Sequence, residues 1–94
     1  STARGTAAET GDIAAQTEVI LQKFQTILEA NGGAISNIVK VTSFVTDLRE
    51  APASGEVRRK YFEGNFPAST QVQVAALGTP DIKIEIEAIA VLPD

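Results

Sequence analysis

The sequence has no histidine and no cysteine. Without cysteine there is no disulfide, no thiolate nucleophile and no thiolate metal site, and without histidine the commonest metal ligand and general base are missing too. Any chemistry must use carboxylates, hydroxyls, arginine, lysine, backbone groups and water, and no metal or cofactor is called for. Long hydrophobic runs are absent, and nothing at the start has the form of a signal peptide, so no membrane partner is expected and a cytoplasmic location is the default. Positive charge is sparse: eight Lys and Arg against twelve Asp and Glu give a net charge of -4. A nucleic-acid partner gains no electrostatic support from that balance. The largest basic cluster, Arg58-Arg59-Lys60, falls on a predicted helix and reads as a solvated face. No internal repeat and no glycine-rich phosphate loop after a strand is found, which leaves nucleotide binding by a standard motif unsupported.

What is present is one domain spanning residues 1–94, with residues 1–11 reading as a loop or arm because they are small, polar and without period. The chain is organised around residues 65–91. There Ile82, Ile84, Ile86, Ala88 and Ala90 fall on one face at period two, with Lys83, Glu85, Glu87, Ile89 and Val91 on the other. Before them Val72, Val74 and Ala76 alternate with Gln71, Gln73 and Ala75. The break Gly78-Thr79-Pro80-Asp81 is too short for a crossover and predicts an antiparallel pair. Gln71, Gln73, Lys83, Glu85 and Glu87 would then share one side of the sheet. Two readings of that side stand level on pattern alone: a solvated outer face, or an oligomer interface whose polar members line a cleft beside Ile89 and Val91.

Upstream, Asp12 is an N-cap for an amphipathic helix in which Ile13, Ile20, Leu21, Phe24, Ile27 and Leu28 recur at three- and four-residue spacings. Asn31-Gly32-Gly33 supplies its left-handed stop. One helical turn at residues 35–38 precedes a β-branched strand over residues 39–46, with Val39, Val41 and Val45 on one side and Lys40, Thr42, Phe44 and Thr46 on the other. Phe44 thus joins the polar side, where a ligand or neighbouring subunit could use it, although simple packing is the commoner role of such an aromatic. Pro52 opens a second helix running to about Phe62, anchored by Val57, Tyr61 and Phe62 and weakened by Gly55. Strand, helix and strand make a crossover unit with its helix on the apolar face of the sheet.

Several stretches in this order resemble the Rid/YjgF family, whose best-studied members hydrolyse reactive imines and enamines: Gly11-Asp12-Ile13-Ala14-Ala15-Gln16-Thr17, Val39-Lys40-Val41-Thr42 with Phe44, Tyr61-Phe62, Phe66-Pro67-Ala68, and Val72-Gln73-Val74-Ala75-Ala76-Leu77 leading into Ile84-Glu85-Ile86-Glu87. The resemblance implies an α+β, chorismate-mutase-like subunit, with two helices packed on one face of a mixed β-sheet. It also implies a homotrimer that binds a small-molecule ligand in clefts between subunits. The family normally has further strands before the segment matching Gly11, which leaves either a fragment or a short member with an exposed sheet edge.

By the same resemblance, an arginine that grips the substrate carboxylate in deaminating members is replaced here by Ser69, so weak or absent activity on simple 2-imino acids is expected. The next family positions match Thr70 and Gln71, whose amides and side chains suit an anion or carbonyl without a fixed positive charge. The glutamate that positions the hydrolytic water matches Glu85, whose bland alternative is a solvated strand residue or one paired with Lys83 or Lys40. A family asparagine matches Gly55. Of the remaining arginines, Arg49 is the nearest substitute by chain position, since Arg58 and Arg59 lie on the second helix. Phe44, Ser69, Thr70 and Gln71 are therefore the expected substrate-binding residues and Glu85 the expected catalytic one, in a cleft formed between chains. The competing reading is a non-catalytic trimeric module for a small metabolite or regulatory partner; a ribonuclease role, also attached to the family, gains nothing from an acidic chain without histidine.

Overall fold

A computed structural model describes residues 2–6 and 11–93. Helix α1 (Ile13–Ala30) begins where the Asp12 carboxylate accepts the Ala15 amide at 2.8 Å. It ends in a Schellman turn, with the Gly33 amide donating to Leu28 O at 2.8 Å and Gly32 at φ +79°. A 3-10 turn (Ile35–Asn37) leads into strand β2 (Ile38–Val45), helix α2 (Ala51–Phe62), strand β3 (Ala68–Gln73) and strand β4 (Ile84–Ala90). Before α1, strand β1 (Thr2–Thr6) pairs antiparallel with β4. The opening stretch is therefore not all loop or arm, and this edge of β4 is covered.

The four strands lie in the order β1-β4-β2-β3, with β2 and β3 parallel and the other pairs antiparallel. The sheet is mixed and both helices pack on one face of it, as expected. The hairpin expected between the last two strands does not form. The α2 crossover returns the chain parallel to β2, so β3 pairs there, and residues 74–83 carry the chain past β2 to its other side. Composition explains the placement. Ile84, Ile86, Ala88 and Ala90 are all buried and suit a central strand, whereas every residue of β3 is exposed and suits an edge.

Ile20, Leu21 and Phe24 of α1 and Val57 and Phe62 of α2 close over Val41, Val45, Ile84 and Ile86 to form the core. Two expected core positions differ. A β-bulge at Val39 lets Ile38 turn inward and leaves Val39 49% exposed, and Ile27 sits at the flank of α1. Two buried polar contacts fix the helices. The Thr17 and Ser54 hydroxyls meet at 2.9 Å between α1 and α2, and the Gln16 amide bonds the backbone of Asp81 and Lys83 just before β4. Among the described residues no helix is long and apolar enough to cross a membrane.

Candidate functional site

Register decides which expected site residues meet. Across the sheet Glu85 stands beside Phe44 and Phe44 beside Val72, while Glu87 stands beside Thr42 and Thr42 beside Thr70. These belong to the open face, away from the helices, where Glu85 and Phe44 are half-buried and Ile89 and Val72 exposed. Lys40 on this face reaches Thr70 Oγ1 at 3.4 Å. The next rows, Ala88-Val41-Ser69 and Ile86-Ser43-Gln71, belong to the helix face, since Val41, Ser43, Ile86 and Ala88 are all buried under the helices.

Gln71 and Gln73 therefore do not share a side with Glu85 and Glu87, contrary to the expectation from alternation. The physical reason is the pairing partner: a strand parallel to β2 takes its facing from β2, and that register turns Ser69, Gln71 and Gln73 toward α2 and Val72 toward Phe44. The five expected site residues thus divide. Glu85, Phe44 and Thr70 lie on the open face and Ser69 and Gln71 on the other, with Glu85 two strands away from Ser69.

On the helix side, α2 and β3 border a pocket of about 310 Å³ whose lining includes Val41, Arg58, Arg59, Phe62, Phe66 and Ser69, together with Gly55 and Pro67. A second hollow of about 420 Å³ reaches Gln71 and shares Gly55, Arg58 and Arg59 with it. Arg58 lines both. Its Nη1 donates to Ser69 Oγ at 3.2 Å and, at 3.5 Å, approaches Ser43 Oγ. Its Nη2 is 4.0 Å from where a side chain at Gly55 would begin, an ordinary contact distance, so Gly55 borders the cation directly. Burial pulls the Arg58 pKa down. Arg49, the substitute expected from chain position, is instead held by Asp47 at 2.9 Å with 91% of its side chain exposed, and it does not line the pocket. That pair is also why the Asp47 carboxyl sits below its usual range.

Residues 2–92 match the family described as Endoribonuclease L-PSP. The chain belongs to the Rid/YjgF family. Among its relatives, Protein DfrA of Myxococcus xanthus is 42% identical over 81 residues, covering 86% of this chain and 61% of that protein. The 2-iminobutanoate/2-iminopropanoate deaminase of Rattus norvegicus is 40% identical over 81 residues, covering 86% of this chain and 58% of that protein. The crystal structure of a YjgF/YER057c/UK114 family member from Mycobacterium tuberculosis superposes with a TM-score of 0.89 at 33% identity, over 96% of this chain and 75% of that one. The chain spans about three fifths of the length of the curated relatives it matches.

Seen in this Rid/YjgF chain, the two departures named from the sequence, Ser69 and Gly55, converge on one pocket, and the guanidinium between them comes from α2. Sequence reasoning set Arg58 aside as part of a solvated basic face. The signal was nonetheless present: Ser54, Arg58 and Phe62 recur at four-residue spacing, and Ser54 and Phe62 are both buried, so Arg58 belongs to the stripe of α2 that faces the sheet. Among the described residues no group of three His, Cys, Asp or Glu side chains is placed to hold a metal ion.

Proposed function

We propose that this chain hydrolyses reactive imine or enamine intermediates in a cleft completed between copies of the chain. The observation that carries the reading is Glu85 half-buried beside Phe44 on an open sheet face, in a chain 40% identical to a protein named 2-iminobutanoate/2-iminopropanoate deaminase. A carboxylate so placed orients a water and takes its proton as the oxygen adds to the imine carbon. The carbinolamine collapses to a carbonyl compound as the C–N bond breaks and ammonia leaves with the transferred proton. Glu85 and Ser69 lie on opposite faces of one sheet, two strands or about 10 Å apart along it. A single copy therefore does not offer both to one small substrate, and a homotrimer whose open faces meet the pocket-bearing edge of a neighbour would.

A second reading, a non-catalytic metabolite-binding or regulatory trimer, is favoured by one observation: both departures from the deaminase pattern, Ser69 and Gly55, line the same pocket. Hydrolysis of a freshly generated 2-imino acid, followed by ammonia release and run beside a solution mass measurement, separates the two. The deaminase reading expects a trimer with activity that Glu85→Ala lowers by roughly two to four orders of magnitude, the range of a general base. An active Glu85→Ala variant would reject Glu85 as the base, and an inert but trimeric wild type would favour the binding module.

A further inference from the structure

Arg58 is a cation with unfinished bonding. Its Nε is buried without a hydrogen-bond partner, and among the described residues no carboxylate lies within ion-pair distance of it. Nη1 donates to Ser69 Oγ and, at the longer distance, to Ser43 Oγ, whereas Nη2 has no acceptor among the described residues and lies toward Gly55 at the wall of the pocket. A guanidinium partly withdrawn from water and lacking a counter-charge is costly to hold, and an anion that accepts from Nη2 beside it removes that cost. Val41, Phe62, Phe66 and Pro67 give the pocket an apolar wall, Arg59 adds a second cation to its lining, and its volume of about 310 Å³ is that of a small-molecule site.

We propose that Arg58 is the anion-binding residue of this chain and holds the carboxylate of a small organic acid whose apolar body lies against Phe62 and Phe66, with Ser69 keeping the guanidinium in place. This deepens the deaminase reading by naming the class of substrate that its cleft accepts. It reverses the sequence-based expectation that Ser69 leaves the cleft without fixed positive charge.

Binding of 2-oxobutanoate and of its uncharged methyl ester to the full chain, read by calorimetry or by backbone amide shifts, is the test. Wild type is expected to bind the acid and to bind the ester roughly ten- to hundredfold more weakly, the range for losing a charged hydrogen-bond pair. Arg58→Gln should lose the same factor for the acid and nothing for the ester, and Arg58→Lys should recover part of it. Equal affinity for acid and ester, no saturable binding by wild type, or an Arg58→Gln variant that binds the acid like wild type would each overturn the proposal. If Arg58→Gln fails to fold, the comparison of acid with ester and the Arg58→Lys variant decide instead. Turnover is not needed for any of these readouts. Arg58-dependent binding by a protein that hydrolyses no imine would therefore sink the deaminase reading and leave the anion site standing.

Discussion

Replacing Gln16 by leucine should destabilise the chain by about 2–3 kcal/mol, far more than its position on a helix would suggest. Gln16 is 1% exposed. Its Nε2 donates to Asp81 O at 2.8 Å and to Gly11 O at 3.3 Å, and its Oε1 accepts the Lys83 amide at 2.7 Å. Leucine is close to glutamine in volume, so the cavity cost is small and the polar groups left behind dominate. Leaving a buried donor or acceptor unpaired costs about 1–3 kcal/mol. Gly11 and Asp81 are exposed residues whose carbonyls can regain water, whereas the half-buried Lys83 amide is the harder one to satisfy. For a domain of this size the change corresponds to a melting-temperature drop of roughly 10–20 °C. Urea unfolding gives the free energy, and hydrogen exchange should show the Lys83 amide speeding up more than amides in the middle of β4. An effect under about 0.5 kcal/mol, or no local change at Lys83, would refute the idea that this side chain ties α1 to the start of the strand bearing Glu85.

Two further outcomes are expected. Tyr61 is the only tyrosine and there is no tryptophan, so near-ultraviolet absorbance follows its ionisation directly; burial first, and then its 2.7 Å hydrogen bond to Glu18, raise its pKa. The midpoint should therefore lie above the usual value of about 10, and because the folded pKa is the raised one, the associated stability is complete below that value and is lost as pH climbs through the folded midpoint. Gly32→Ala should cost about 1 kcal/mol in thermal unfolding, since φ is +79° there while a Cβ would meet nothing within 4 Å; a neutral result would mean that the α1 terminus relaxes freely.

The sequence by itself determined the elements whose signals are local. The Asp12 cap, the α1 stripe, the Asn31-Gly32-Gly33 stop and the period of Ile84, Ile86, Ala88 and Ala90 each express a preference that a short segment carries within itself, and each appears where the pattern puts it. Family membership was legible for the same reason, from motifs in order along the chain. Tertiary structure decided which strand lies beside which. Alternation says that Gln71 and Val72 face opposite ways, but not which of them faces the helices; that follows from a parallel register with β2, set by the α2 crossover and by the stronger claim of β4 on the sheet interior. The bulge at Val39 was hidden likewise, because a single extra residue leaves no mark on an already β-branched run. The same long-range choice separated Glu85 from Ser69 and brought Arg58, eleven residues from Ser69 in sequence, to 3.2 Å from its hydroxyl. Side-chain type and spacing are properties of the chain, whereas the partner across a sheet or a pocket is a property of the packed whole, where burial of the most apolar strand outweighs proximity in sequence.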